Sequence, residues 1–171
     1  MKRLGFVGVG NMGQCAHLLN YTDLDGCQVV AIAEVRPELA ARVASRYEIP
    51  KVYADHREML AAESLDGIVA AQPFTRHGVL LPELFASGIP VLSEKPLARS
   101  VEAGRRLVQT GGQHVLGYHK RSDPAVLHAV SRIAQLRQTE ELGPMRYVRI
   151  LMPGGDWIAG GFTHLVQSPE A

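Results

Sequence analysis

Cysteine is scarce in this chain of 171 residues: there are two, Cys15 and Cys27, and they form neither a disulfide framework nor a metal-ligand spacing. A reducing, cytoplasmic compartment is the expectation, and no metal site is expected. Basic runs are equally sparse. None exceeds two residues and the net charge is +1, so the electrostatic footprint for nucleic acid or an anionic membrane is missing. No stretch approaches the roughly 20 apolar residues that span a bilayer. Lys2-Arg3 before an apolar stretch resembles the start of a signal peptide, but glycines break that stretch and it ends at Asn11, too short for an h-region. Internal repeats and low-complexity tracts are absent too. What remains is a chain 46% hydrophobic and 20% charged, long enough for one domain with a full core and too short for two large ones. Small-molecule chemistry is the class left standing.

The most informative stretch is Leu4-Gly5-Phe6-Val7 followed by Gly8-Val9-Gly10-Asn11-Met12-Gly13. An apolar strand that enters a helix through three glycines at this spacing presses backbone amides, among them those of Asn11 and Met12, against a pyrophosphate. Gly8 permits the tight turn, Gly10 lacks the Cβ that would hold the diphosphate away, and Gly13 lets the helix pack closely on the strand. The helix itself is expected to bury Met12, Cys15, Ala16 and Leu19, the spacing of an amphipathic face. A second apolar run, Val29 to Ala33, ends in Glu34, 21 residues beyond Gly13, close to the roughly 20 expected for an acid that binds the ribose hydroxyls. Glu34 favours NAD, while Arg36 leaves NADP as the alternative because it could turn to a 2′-phosphate.

The rest of the first two thirds alternates strand and helix. Pro37 opens a helix with Leu39, Val43 and Tyr47 every four residues; a short strand at Val52-Tyr53 follows. Asp55 and Glu58 resemble a capping box for a third helix. Leu65 to Ala71 reads as a fourth strand, Thr75 to Ala86 as a helix kinked or restarted at Pro82 and stopped at Gly88, Ile89 to Ser93 as a fifth strand, Ser100 to Thr110 as a helix, and His114 to Tyr118 as a sixth strand. Six strands alternating with helices imply an α/β fold, a doubly wound parallel sheet covered on both faces.

Asp123-Pro124 then opens a helix expected to bury Leu127, Val130, Ile133, Ala134 and the stem of Arg137 and to stop at Gly143-Pro144. Met145 to Met152 alternates as a strand of a different, antiparallel sheet would. Glycine loops at 153–155 and 160–161 lead to Ser168-Pro169-Glu170-Ala171. The expected organisation is a dinucleotide-binding domain over 1–121, then a linking helix and first strand of a second α+β domain, mostly missing, over 122–171.

Three stretches at the carboxyl edge of the sheet carry the chemistry. Glu94-Lys95-Pro96 follows the fifth strand, where an ammonium beside a nicotinamide could stabilise alkoxide character as hydride leaves; the alternative is a solvated Lys95 paired with its neighbour. Gln72 to His77 follows the fourth strand, with Pro73 and Phe74 placed to wall the cofactor cleft, and with His77 either facing that cleft or, the favoured reading, holding the start of the helix. Tyr118, His119, Lys120 and Arg121 close the sixth strand and face either substrate or solvent.

Taken in order, Gly8-x-Gly10-x-x-Gly13, Glu34, Pro73-x-x-x-His77, Glu94-Lys95-Pro96 and Gly117 to Pro124 resemble the glucose-fructose oxidoreductase, inositol dehydrogenase and rhizopine-catabolism (Gfo/Idh/MocA) family over about 150 residues. The resemblance implies an NAD(P)-dependent oxidoreductase acting on a sugar, cyclitol or similar polyol, homo-oligomeric at full length. It implies that Lys95 contacts the reacting hydroxyl, that the Lys95–Pro96 bond is cis, and that Tyr118, His119 and Arg121 lie near cofactor and substrate. The family's second glycine-rich motif also carries an aspartate and a histidine that complete the substrate site. Gly160 to Val166 has the glycines without those two residues in register, which makes His164 a poor catalytic candidate.

Two other functions compete with a dehydrogenase represented here only in part. One is a cofactor-holding protein or redox sensor that never turns over, which the intact mass of the native protein would reveal. The other, again through the resemblance, is an NAD-assisted glycoside hydrolase or lyase, revealed by a retained cofactor and no net NADH.

Overall fold

The computed structural model describes residues 1–151, 165 and 166. Contacts divide the chain into two compact units: residues Met1–Gly117 together with Leu165 and Val166, and a second unit that begins at Tyr118. The division thus falls a few residues before the boundary expected at 121, and the chain returns to the first unit near its end.

The first unit is a six-stranded sheet: β1 (Lys2–Val7), β2 (Cys27–Ala33), β3 (Lys51–Tyr53), β4 (Gly67–Ala70), β5 (Val91–Ser93) and β6 (His114–Leu116). Its order is β3-β2-β1-β4-β5-β6, and every adjacent pair is parallel. Such a sheet must be covered on both faces, and its residues alternate between two cores. Phe6 and Val69 enter one core with Leu18, Leu39 and Val43. Val7, Ile68 and Ala70 enter the other with Leu81, Leu84 and Leu107. Each fully buried leucine contributes about 1.5–3 kcal/mol.

The helices follow local signals. In α2 (Pro37–Arg46) proline occupies the first turn, and Leu39, Ala40, Val43 and Ala44 are buried. In α3 (His56–Ala62) the Asp55 carboxylate accepts the Arg57 N–H at 2.6 Å, so the acid caps the helix through its second residue. A 3₁₀ turn at Phe74–Arg76 leads into α4 (His77–Ala86), and α5 (Val101–Thr110) is capped by Ser100. Pro82 neither ends nor restarts α4: the helix runs through it, forgoing one bond to the carbonyl of Gly78.

The helix after the glycines departs most from expectation. Residues 13–18 form a π-helical turn, Gly13–Leu18, continued by α1 (Leu19–Tyr21). Its buried face is Gly13, Gln14, His17 and Leu18; Met12 and Leu19 are exposed, and Cys15 and Ala16 are half-buried. A Cβ on Gly13 would stand 2.6 Å from the Gly8 carbonyl oxygen, so Gly13 must face the strand and carries the residues four and five positions on inward with it. The buried face therefore runs through residues 13, 14, 17 and 18 in place of the expected 12, 15, 16 and 19.

In the second unit a 3₁₀ turn at His119–Ser122 precedes α6 (Pro124–Thr139), whose N-cap Asp123 accepts the Ala125 N–H at 3.0 Å. The helix ends at Thr139, earlier than expected, with Glu140 in the left-handed region at φ +54. The expected burial of Leu127, Val130, Ile133, Ala134 and Arg137 does not occur: no residue of α6 is buried. Nor do residues 145–151 form the expected strand. They are exposed and unpaired among the described residues, because alternation supplies one apolar face but a strand also needs a neighbouring ladder. The loops expected at 153–155 and 160–161, His164 and the last five residues lie outside the described residues.

Candidate functional site

The carboxyl ends of β1, β2, β4 and β5 meet where the strand order reverses, the place at which open α/β sheets bind ligands. A cleft of about 520 Å³ opens there, lined among others by Gly8, Gly10, Glu34, Pro73, Phe74 and Lys95. Its volume lies in the ordinary range for ligand pockets.

The glycine turn builds the floor. Gly8 has φ +87, and a Cβ there would collide with the Gln72 amide and the Ala71 carbonyl. At Gly10 the nearest atom to a Cβ is Arg36 Nη2 at 3.5 Å, so the protein leaves that space to the cleft. Asn11 and Met12 are exposed and line the same opening. They begin the helix, where backbone N–H groups lack intrahelical partners.

Glu34 is buried, with 4% exposure, and fully engaged. One carboxylate oxygen accepts the Val9 N–H at 3.0 Å and Arg36 Nη2 at 3.0 Å; the other accepts Arg36 Nε at 2.8 Å. Burial pushes the Glu34 carboxyl up, but the Arg36 guanidinium and the Val9 N–H outweigh it and hold the acid below the ordinary carboxylate range. Glu34 therefore ties the end of β2 to the glycine turn and is already covered by the half-exposed Arg36.

Lys95 is exposed, lines the cleft, and makes no ion pair among the described residues. The alternative reading, a Lys95 paired with its neighbour Glu94, is not what the described residues show. Glu94 is instead buried beneath the loop, where His17 Nε2 donates to one carboxylate oxygen at 2.8 Å and the Lys95 backbone N–H donates to the other at 3.2 Å. The Lys95–Pro96 peptide is cis.

His77 is not part of the cleft wall. It is fully buried and its Nδ1 donates to the Leu97 carbonyl at 3.1 Å. His77 faces inward, while Phe74 and Arg76 of the preceding 3₁₀ turn line the cleft. Tyr118, His119 and Arg121 belong to the second unit, where all three are exposed.

Two participants escaped sequence reasoning. His17 reaches Glu94 from the π turn. Gln14, wholly buried, donates to the carbonyls of Val9 at 3.0 Å and Val166 at 2.8 Å and accepts the Val166 N–H at 2.9 Å. Arg36, already a candidate for a 2′-phosphate, is instead bidentate on Glu34. For His17 the signal was present: it stands four residues after Gly13, the one helix position whose direction the glycine spacing dictates.

A six-stranded 3-2-1-4-5-6 sheet with a glycine turn at the switch point defines a dinucleotide-binding fold. The chain belongs to the Gfo/Idh/MocA oxidoreductase family with its NAD-binding Rossmann fold, whose model matches residues 2–116. It is 32% identical over 154 residues to inositol 2-dehydrogenase 4 of Saccharopolyspora erythraea, a match that covers 84% of this chain and 42% of that protein. Among solved structures it is similar to the WlbA dehydrogenase of Bordetella pertussis in complex with NADH and UDP-GlcNAcA (26% identity, TM-score 0.71, covering 79% of this chain and 42% of that one). It shares the fold of scyllo-inositol dehydrogenase from Lactobacillus casei with bound NAD(H) and scyllo-inositol (21% identity, TM-score 0.71, covering 84% and 42%). The chain thus spans about two fifths of the length of these relatives. Among the described residues no helix is long and apolar enough to cross a membrane.

Proposed function

We propose that this chain is the dinucleotide-binding part of an NAD-dependent oxidoreductase that moves hydride between the nicotinamide and a hydroxyl-bearing carbon of a cyclitol, sugar or similar polyol. The observation that carries the reading is Lys95, an ammonium without an ion partner among the described residues, opening on the same cleft as the glycine turn and Glu34.

The residues fit such a cofactor. Gly10 leaves a cradle that a side chain would fill, and the helix start at Asn11 and Met12 offers donors for a diphosphate. Pro73 and Phe74 form an apolar wall, and Glu94 holds the base of the loop from beneath. Glu34 accepts ribose hydroxyls once Arg36 swings away, and the same Arg36 supplies a cation for a 2′-phosphate. NAD is the preferred cofactor because Glu34 is fixed by the Val9 N–H, whereas Arg36 is half-exposed. A bound nicotinamide would supply the hydride chemistry; Lys95 would donate a hydrogen bond to the substrate oxygen and stabilise the negative charge that develops there. His77 takes no part in cofactor contact. In the second unit, Tyr118, His119 and Arg121 present polar groups suited to a polyol.

Residues 1–121 form the cofactor domain in this reading, and 122–171 lead into the part that the relatives carry at greater length. The small polyol is the partner, in a homo-oligomer of the relatives' full length, and the free thiols Cys15 and Cys27 suit a reducing cytoplasm. The test is Lys95→Ala in a polypeptide of that length carrying this segment, assayed with NAD and a panel of inositols and sugars. A loss in kcat of about a hundredfold with NADH affinity retained is expected. Unchanged turnover overturns the assignment of Lys95.

A further inference from the structure

Two buried histidines, from the helical segments that follow β1 and β4, grip the stretch that roots Lys95. His17 donates from Nε2 to Glu94 Oε1 at 2.8 Å, and Glu94 Oε2 accepts the backbone N–H of Lys95 at 3.2 Å. Two residues beyond Lys95, the Leu97 carbonyl accepts from His77 Nδ1 at 3.1 Å. A carbonyl only accepts, so His77 carries its proton on Nδ1. Its Nε2 is left buried without a partner among the described residues. His17 is 8% and His77 0% exposed. Neither imidazole lines the cleft.

The lysine needs such support. Its ammonium sits on a flexible four-carbon stem and makes no ion pair among the described residues, so its direction is set by the backbone that bears it. We propose that His17 and His77 are positioning residues that lock residues 94–97 from both sides and so aim the Lys95 ammonium into the cleft. Residues placed to do chemistry must be held to within about 0.5 Å by locked neighbours, and a carboxylate shared between His17 and the Lys95 amide supplies such a lock. The inference rests on the reading of Lys95 given above, and its test separates the two.

The chain is treated with limiting acetic anhydride at fixed pH, alone or saturated with NADH or ADP-ribose, and acetylation of Lys95 is read by peptide mass spectrometry. In the parent, NADH is expected to slow acetylation about fivefold or more, and ADP-ribose, which lacks the nicotinamide, by less than about twofold. In His17→Leu and in His77→Phe the protection by NADH should fall below about twofold, while both ligands bind within about threefold of the parental Kd. His17→Gln, whose amide reaches Glu94, should restore protection. If His17→Leu fails to fold, His17→Asn, whose amide is too short to reach, takes its place. Parental protection in the Leu or Asn and Phe variants overturns the positioning roles. So does a parallel loss of ADP-ribose affinity, which marks a general structural role. Absence of NADH protection in the parent overturns the reading of Lys95 itself.

Discussion

The contact between Gly13 and the Gly8 carbonyl makes the sharpest prediction about the fold. An alanine in a helix is favoured over glycine by up to about 1 kcal/mol. At Gly13 that gain is opposed by a Cβ placed 2.6 Å from a backbone oxygen and 3.4 Å from the Ala71 side chain. A carbonyl in a tight turn cannot rotate aside, so the helix must lift from β1, and overpacking of this kind costs about 1–3 kcal/mol. The steric term wins. Gly13→Ala should lose about 1–2 kcal/mol, which for a chain of this size lowers Tm by about 2–8 °C, and should weaken NADH binding because the helix start moves with it. Gly78→Ala is the matched control, since nothing lies within 4 Å of a Cβ in α4. It should raise Tm by about 2–4 °C, the propensity gain alone. Differential scanning calorimetry on both variants decides the matter. A Gly13→Ala chain as stable as Gly78→Ala, binding NADH as the parent does, would refute the close-packing argument.

Three further outcomes follow from particular contacts. Burial, aided by the nearby His77, lowers the affinity of His114 for protons in the fold; the unfolded chain therefore binds more protons below about pH 6.5, and stability should fall as the pH drops through that range. Urea midpoints between pH 8 and pH 5 should show this fall, and His114→Gln should flatten it; an equal slope in the variant contradicts the assignment. Asp55→Ala removes the cap bond to the Arg57 N–H and should cost about 1 kcal/mol in urea unfolding, with NADH affinity unchanged. Glu34→Gln should narrow the preference for NADH over NADPH in paired titrations, since it removes the charge that repels a 2′-phosphate and frees Arg36 to meet one; an unchanged ratio argues against Glu34 as the discriminating group.

Most of the strand and helix order was legible because each signal was local and mechanical. Proline at the start of α2, Asp55 as a cap, and apolar runs of four to seven residues ending at glycines or charges each fix one element. Glu34 and Lys95 could be placed at one cleft for a related reason: the carboxyl ends of parallel strands lie on one edge of the sheet. What escaped depends on contacts between distant segments. The stripe of the first helix was misplaced because its direction is set by Gly13 against Gly8, and its π turn breaks the 3.6-residue period. The partner of Glu94 is a side chain 77 residues away, which only the fold brings near. Alternation over 145–151 suggested a strand that lacks a partner, and the apolar positions of α6 suggested burial that does not occur.

The central claim is that the glycine turn at the switch point holds a dinucleotide, and Gly10 tests it most directly. Its missing Cβ touches nothing closer than Arg36 Nη2 at 3.5 Å, so a side chain there fills the cleft and leaves the fold intact. Isothermal titration of NADH into the parent chain and into Gly10→Val, with Tm measured on both, should give saturable binding by the parent, and in the variant a loss of affinity of about tenfold or more at nearly parental Tm. Equal NADH affinity in the two proteins would contradict the account.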